Sequence, residues 1–215
     1  MLYGNVKMIP KIIHQIWVGD FKLPRREQKL VNEIRDMHPE YEYMFWTVPP
    51  KLPDNVQYWY DKFYSIKNYA FCADLLRIWI VKEFGGFYLD VDFKLSKPLD
   101  DFLNYDGLFL YHNEGDFTIP NNVFGAKKNL DVLNYCIQEI HTNNSWYGPS
   151  WFGNVVKSSL GFKYETSHEV VKNKMKEKNI EYFVYGIFET NYARHLSLYS
   201  WSPEIWNKLN NQEQL

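Results

Sequence analysis

The chain has 215 residues, of which 46% are hydrophobic and 23% charged, so it can bury a core and is neither fibrous nor disordered. Its 24 basic and 26 acidic side chains give a net charge of −2, which argues against binding nucleic acid through a large basic face, although a local basic groove would escape this count. No apolar run is long enough to predict a membrane span, and the N-terminus lacks the pattern of a signal peptide.

Strands alternate with helices through the first half of the chain. Apolar and β-branched runs predict strands over residues 11–18, 41–47, 87–93 and 106–112. Apolar spacing, with boundary signals at Pro24, Asn68 and Gly85-Gly86, predicts helices over residues 24–38, 53–66 and 68–84. This alternation is typical of an α/β sheet that is partly parallel, with loops gathered at the strand ends.

The second half of the chain has a less regular pattern. It predicts helices over residues 130–141 and 150–160 and a strand over residues 181–185, and residues 186–215 predict no element. Neither a repeat nor a linker interrupts the sequence, so we expect a single domain over residues 1–215. Cys72 and Cys136 lie within apolar patterns, which indicates reduced core thiols and a cytoplasmic protein.

Two carboxylates, Asp90 and Asp92, lie at the end of the strand predicted over residues 87–93. They share one side of the strand if it continues, and both face a loop if it stops there. Such a pair suits a hard divalent cation, Mg²⁺ or Mn²⁺, that also binds a diphosphate. Two acids separated by one residue are by themselves weak evidence for a metal site. The alternative is that both carboxylates are solvated at the end of a strand.

An acid and a base, Asp74 and Arg77, lie three residues apart on the predicted long helix and therefore share one of its faces. On a protein surface such a pair would contribute little to stability. The surrounding residues are almost all apolar, however, which predicts a helix buried on most sides. The helix leads directly to the two aspartates, so we interpret all four charged residues as one unit; simple ion pairing is the alternative.

Trp17 lies near the carboxyl end of the first predicted strand, at the edge where open α/β sheets bind ligands. An indole at this position could stack on a nucleobase. The alternative is a core tryptophan, since 19% of the residues are aromatic.

Four ordered segments carry a family resemblance: KIIHQIWVG at 11–19, ADLLR at 73–77, GGFYLDVD at 85–92 and KPLD at 97–100. Together they resemble the DXD-containing glycosyltransferases, and more narrowly the family 32 transferases with a sugar-binding region containing DXD. That group includes initiating mannosyltransferases of yeast and bacterial capsule enzymes, with clostridial glucosylating toxins as more distant kin. The resemblance implies a GT-A type, Rossmann-like fold with a mixed, partly parallel sheet. Its donor-binding core would cover residues 8–125 approximately, and acceptor-side and C-terminal elements residues 126–215.

The resemblance also implies roles for residues that match the family's motifs. Trp17 would stack on the nucleobase of a nucleotide-sugar, and Val18 would offer backbone contacts. Asp74 and Arg77 match a pair that contacts ribose and sugar hydroxyls of the donor.

In the acidic motif, the resemblance implies that Asp92 ligates a metal and that Asp90 holds ribose, sugar or a metal-bound water. The segment NNVFGA at 121–126 resembles the Asn-bearing segment near the donor sugar, so Asn122 is a donor-binding candidate. Tyr147-Gly148-Pro149 resembles the family's Gly-Pro loop.

The C-terminal segment departs from the family pattern. Relatives carry a His-rich segment before Ser-Trp, or an acidic and Ser pair before Trp, that completes the metal site. Here Ser200 and Trp201 fit that pattern, but His195 is a lone histidine before them. We expect His195 as a further ligand, with a structural role as the alternative.

The sequence thus predicts a metal-dependent, retaining glycosyltransferase with Asp74, Arg77, Asp90 and Asp92 as its catalytic residues. The donor would be a UDP- or GDP-linked sugar bound with Mn²⁺ or Mg²⁺. The expected acceptor is a glycan hydroxyl, with a protein side chain or a modified nucleic-acid base as alternatives. Two other functions stay open: a non-catalytic nucleotide-sugar or glycan-binding protein, and a phosphatase that uses its Asp-x-Asp motif.

Overall fold

The computed structural model describes residues 8–112, 118–141, 147–163 and 165–197. In chain order these residues form β1 (Ile12–Ile16), α1 (Arg25–Met37), β2 (Glu42–Trp46), α2 (Asp54–Ser65), α3 (Tyr69–Phe84), β3 (Gly86–Leu89), β4 (Phe93–Leu95), β5 (Gly107–Tyr111), β6 (Val123–Ala126), α4 (Asp131–Gln138), α5 (Pro149–Ser159), α6 (His168–Glu177), β7 (Ile180–Val184), α7 (Tyr185–Asn191) and β8 (Ala193–His195). None of the described helices combines the length and the apolar character needed to cross a bilayer.

Six of the strands form one mixed sheet in the order β2-β1-β3-β6-β5-β7, and β4 pairs with β8 separately. Within the large sheet, β6 runs antiparallel to both of its neighbours, and the other pairs are parallel. The carboxyl ends of five strands therefore meet the amino end of β6 at one edge of the sheet. Open α/β sheets bind ligands at this edge.

Alternate side chains of the sheet pack into two hydrophobic clusters, as the two-residue period of a strand requires. Phe87 and Leu89 of β3 pack with Ile34 of α1 and Phe188 of α7. Tyr88, between them in sequence, belongs to the cluster that includes the buried side chains of α2, α3, α4 and α5. Helices thus cover both faces of the sheet, and the chain has the α/β class predicted from the sequence.

Two glycines turn the chain from α3 directly into β3. Gly85 has a φ of 71° and Gly86 a φ of 100°, both in the left-handed region that favours glycine. A Cβ atom on Gly86 would lie 2.6 Å from the carbonyl oxygen of Ile12 in β1. The glycine pair thus lets β3 pack against β1, and the short strand that follows ends immediately before Asp90.

The strand predicted over residues 87–93 is wrong in its second half. β3 ends at Leu89, and the N–H of Phe93 donates to the carbonyl of Asp90 at 3.3 Å across a turn. Phe93 then begins β4, which pairs with β8 rather than extending the large sheet. Both aspartates therefore lie at a loop end, the second of the two arrangements that the sequence allowed.

Candidate active site

One cavity of about 620 Å³ opens at the ligand-binding edge of the sheet. The sequence-predicted residues that line it are Trp17, Val18, Asp74, Arg77, Asp90, Asp92, Asn122 and His195. Gly148 and Pro149 of the predicted Gly-Pro loop also line it, whereas Tyr147 is buried in the core. Ser200 and Trp201 lie outside the described residues. Segments far apart in the sequence thus meet at one site.

Arg77 of α3 is the centre of a buried ionic network. Its Nη2 atom lies 3.3 Å from Asp74 Oδ1, and its Nη1 atom lies 3.2 Å from Asp90 Oδ1. Its Nε and Nη1 atoms also donate to the carbonyls of Ala73 and Asn121, at 3.1 Å and 3.0 Å. Asp74 is 7% exposed and Arg77 6%, so this is not the surface ion pair considered from the sequence.

The charges in this network depend on one another. Burial raises the pKa of Asp74 to about 6, and the charge of Arg77 opposes that rise. Burial acts against the charge on Arg77, but Asp90 and the other neighbouring groups raise its pKa above the ordinary value. The guanidinium also lies 4.6 Å from the ring centroid of Tyr88. Arg77 therefore stays cationic. Its Nε, Nη1 and Nη2 atoms all contact groups of the protein, including the carboxylate of Asp90.

Asp90 is fixed through its side chain and through both of its backbone polar groups. Tyr88 Oη donates to Asp90 Oδ1 at 2.5 Å, the same oxygen that faces Arg77. The N–H of Asp90 donates to the carbonyl of Asn122 at 2.9 Å, and its own carbonyl accepts from Gln15 Nε2 at 3.2 Å. Because both side-chain contacts use Oδ1, the second carboxylate oxygen is the one left to bind a ligand.

The small sheet of β4 and β8 brings His195 beside Asp92. Phe93 pairs with His195, their rings stack with centroids 4.8 Å apart, and the N–H of Leu196 donates to the carbonyl of Asp92 at 3.0 Å. His195 Nε2 consequently lies 3.1 Å from Asp92 Oδ1. Burial disfavours the imidazolium, but the hydrogen bond and the charge of Asp92 raise the pKa of His195 above its ordinary value.

Asp90, Asp92 and His195 fit a divalent cation. Each offers one ligand atom, and these atoms all lie within 4.8 Å of one another. Burial raises the pKa of Asp90; Arg77 opposes this rise and Asp92 adds to it, so a further positive charge would stabilise both carboxylates. Carboxylate oxygens are the ligands that Mg²⁺ and Mn²⁺ prefer, and an imidazole suits transition metals.

Trp17 is half-buried and lines the cavity, so it is more than a core residue. Its Nε1 atom donates to the carbonyl of Phe21 at 2.8 Å, which fixes the indole in the loop after β1. That loop is also tied to α3, because Tyr69 Oη donates to Asp20 Oδ2 at 2.7 Å. Phe21 and Tyr69 line the same cavity and add aromatic surface beside the indole.

Two asparagines before β6 complete the wall of the cavity. Asn121 Nδ2 donates to Asp74 Oδ1 at 2.8 Å, which joins it to the ionic network. Asn122 Nδ2 donates to Tyr185 Oη at 2.9 Å. Among the described residues, Asn122 Oδ1 is buried and has no hydrogen-bond partner. That oxygen is therefore available to accept a hydrogen bond from a ligand hydroxyl.

Several residues of the site have no role in the sequence-based prediction. Gln15 and Tyr88 precede Trp17 and Asp90 by two positions, so strand alternation could have placed each on the same face as a predicted site residue. Asn121 could have been found from its neighbour Asn122, which was a predicted donor-binding residue, whereas no sequence pattern indicated Tyr185. These residues orient the predicted ones, and such supporting contacts depend on tertiary structure.

Residues 24–108 match the model of a family described as "Glycosyltransferase sugar-binding region containing DXD motif". Among curated proteins, inositol phosphoceramide mannosyltransferase 1 of Schizosaccharomyces pombe is 27% identical over 67% of this chain and 46% of its own length. The uncharacterized glycosyltransferase L373 of Acanthamoeba polyphaga mimivirus is 33% identical over 62% of this chain and 56% of its own length. The chain thus spans about half the length of these relatives.

Among solved structures, the PaToxG glycosyltransferase is similar, with a TM-score of 0.62 and 17% identity over 80% of this chain and 76% of that one. This likeness confirms the predicted GT-A type α/β fold. The family match includes Asp74, Arg77, Asp90 and Asp92, the four charged residues singled out from the sequence. Residues 24–108 are thus similar to glycosyltransferases with a DXD-containing sugar-binding region.

Proposed function

We propose that the protein transfers a hexosyl group from a nucleoside-diphosphate sugar to an acceptor hydroxyl, with a divalent cation and with retention of anomeric configuration. The observation that carries this proposal is the cavity that joins the Trp17 indole to the cluster of Asp90, Asp92 and His195. The family match, the relatives named as glycosyltransferases and the fold support the same reaction class.

In this proposal the two ends of the cavity bind different parts of the donor. The Trp17 indole stacks on the nucleobase, with Val18 beside it. The network of Asp74, Arg77 and Asn121 lines the same cavity and is proposed to supply hydrogen-bond partners for ribose and sugar hydroxyls. Asp74 Oδ1 is engaged by Arg77 and Asn121, so its other carboxylate oxygen is the one proposed to bind a hydroxyl.

Asp90, Asp92 and His195 are proposed to hold the cation. When bound, Mn²⁺ or Mg²⁺ supplies positive charge that stabilises a diphosphate leaving group. The chain's own contribution is preorganisation: Arg77 and Tyr88 orient the Asp90 carboxylate, and the β4–β8 pairing keeps His195 beside Asp92. Side chains fixed in this way need not reorganise as charge develops in the transition state.

The proposed transfer occurs on one face of the sugar. The bond from the acceptor oxygen to the anomeric carbon forms as the bond to the donor phosphate breaks. The proton of the acceptor hydroxyl passes to the departing phosphate oxygen, so the reaction needs no separate general base. Asn122 Oδ1 is proposed to orient the donor sugar through one of its hydroxyls. Retention rests on the resemblance to the family.

The name of one relative suggests which substrates to examine first. The Schizosaccharomyces pombe relative is named a mannosyltransferase of inositol phosphoceramide. We therefore propose a mannosyl donor as the first candidate and a hydroxyl of a glycan or glycan-like headgroup as acceptor. A cytoplasmic location is part of the proposal, supported by the two free, buried thiols of Cys72 and Cys136.

The decisive experiment incubates the purified protein with a panel of UDP- and GDP-linked sugars plus Mn²⁺ or Mg²⁺, without acceptor. Slow hydrolysis of one donor, abolished by a chelator and restored by added metal, is the expected result. It identifies the donor before the acceptor is known. Absence of both hydrolysis and transfer to glycan acceptors, across the whole panel, would contradict the proposed activity.

The second candidate is a protein that binds a nucleotide-sugar or glycan without turnover. The same cavity supports it, because stacking and hydroxyl contacts need no chemistry. Metal-dependent binding of one donor with no hydrolysis or transfer would favour this candidate. The phosphatase alternative gains no support, since the fold and the relatives are those of glycosyltransferases.

A further inference from the structure

Gln15 is the fourth of the five residues of β1, and its polar side chain is fully buried. Its Nε2 atom donates to the backbone carbonyl of Asp90 at 3.2 Å. Tyr43 of β2 donates from its Oη to Gln15 Oε1 at 2.5 Å. A hydrogen-bonded chain therefore runs across three neighbouring strands, from Tyr43 through Gln15 to the start of the acidic turn.

The preceding residue makes an equivalent contact at the other end of β3. His14 Nε2 lies 2.8 Å from the carbonyl of Gly85, and Trp46 Nε1 donates to His14 Nδ1 at 3.2 Å. Both residues are fully buried, and each receives a hydrogen bond from β2. Only the Gln15 chain reaches the acidic turn, so the two contacts form a natural comparison within one strand.

The Asp90 carbonyl lies just beyond the ladder between β1 and β3, whose paired residues are Ile13 with Phe87 and His14 with Tyr88. Past this ladder, Gln15 links β1 to the turn through a side chain. Other contacts of Asp90 fix its carboxylate and its N–H, and its carbonyl accepts both from Gln15 Nε2 and from the N–H of Phe93 within the turn. A fixed carbonyl sets the plane of the peptide between Asp90 and Val91, and thereby the direction in which the chain continues to Asp92.

We infer that Gln15, oriented by Tyr43, is a positioning residue that holds the Asp90–Asp92 turn in the geometry that binds the divalent cation. This inference rests on the proposed function. The Tyr43 hydroxyl specifies which way the amide of Gln15 points, because it donates to the oxygen and leaves the NH₂ group for the Asp90 carbonyl. Without that hydroxyl the amide can rotate and place its oxygen against the carbonyl, where the two acceptors repel.

The test measures binding of Mn²⁺ alone, from the signal of free Mn²⁺ in electron paramagnetic resonance, for Gln15→Met and Tyr43→Phe. Contacts that orient metal ligands typically change metal affinity by about 10- to 100-fold, so we expect Gln15→Met to bind Mn²⁺ about 10-fold more weakly. Tyr43→Phe keeps the amide and is expected to lie between Gln15→Met and the wild type.

The matched control is His14→Met, which removes the equivalent contact at the far end of β3. It should lower thermal stability and leave Mn²⁺ affinity within about twofold of the wild type, because its carbonyl partner lies away from the acidic turn. If Gln15→Met does not fold, Tyr43→Phe decides the question.

Two outcomes would overturn the inference, and they are distinguishable. Folded Gln15→Met and Tyr43→Phe proteins that bind Mn²⁺ like the wild type would refute the positioning role alone. A wild-type protein that binds no Mn²⁺, with or without a nucleotide, would remove the metal from the proposed function and the inference with it.

Discussion

The buried network around Arg77 makes a quantitative prediction about stability. Arg77→Met keeps most of the side-chain volume and removes the cation that lies 3.3 Å from Asp74 and 3.2 Å from Asp90. Both carboxylates are then left without their closest positive charge, and removing one partner of a buried ion pair costs about 3–5 kcal/mol. For a chain of this size, each kcal/mol lowers the melting temperature by roughly 2–4 °C, so a decrease of about 10 °C is expected.

Urea and thermal unfolding of Arg77→Met, measured with the wild type, test this prediction. Lys29→Met is the matched control, because Lys29 is 78% exposed and lies 3.9 Å from Glu33 in an ordinary surface pair. We expect that control to cost less than about 1 kcal/mol. Adding Asp74→Asn to Arg77→Met should recover part of the loss, because it removes one of the unpaired charges. A cost for Arg77→Met as small as that of the control would refute the buried-network account.

Three further predictions concern binding, product and pH. Trp17→Ala should weaken nucleotide binding by roughly 1–3 kcal/mol, measured by calorimetry, because it removes a stacking surface. Trp46→Ala, which lies outside the cavity, should not weaken it comparably. The product should be α-linked from an α-linked donor, and anomeric coupling constants in NMR spectra decide this; a β-linkage would contradict the proposed mechanism. Burial lowers the pKa of His14 from 6.5 to about 4, so the unfolded chain takes up this proton first as the pH falls. The free energy of unfolding of the wild type should therefore decrease between pH 6.5 and pH 4 by about 3 kcal/mol more than that of His14→Gln. Unfolding of both proteins measured across this pH range tests the prediction.

The sequence predicted the elements that carry strong local signals. α3 begins after the Asn68 cap, whose side chain accepts from the N–H of Phe71, and it ends at the Gly85-Gly86 pair. The apolar neighbours of Asp74 and Arg77 correctly predicted their burial. Each of these features depends on residues close together in the chain, which is why pattern and spacing were sufficient.

Elements without a local period were not predicted. β6 has four residues and contains Gly125, so it has neither the length nor the alternation of a recognisable strand. β8 has three residues and exists because β4 pairs with it. α6 and α7 were missed as well. The site therefore could be predicted as a set of residues, but not as the network that orients them.

The central claim is that the Asp90–Asp92 turn binds a metal required for turnover, and Asp92→Asn tests it most directly. The amide has the shape of the carboxylate and keeps an oxygen that can face His195 Nε2, which lies 3.1 Å from Asp92 Oδ1. Removing one negative charge also relieves repulsion with Asp90, so stability without metal should hold or rise slightly. Donor turnover should fall by about 10²–10³, the usual effect of losing an electrostatic contact to the transition state. We expect a folded protein that has lost Mn²⁺-dependent nucleotide binding together with donor hydrolysis. A folded Asp92→Asn protein with wild-type metal-dependent turnover would contradict the account.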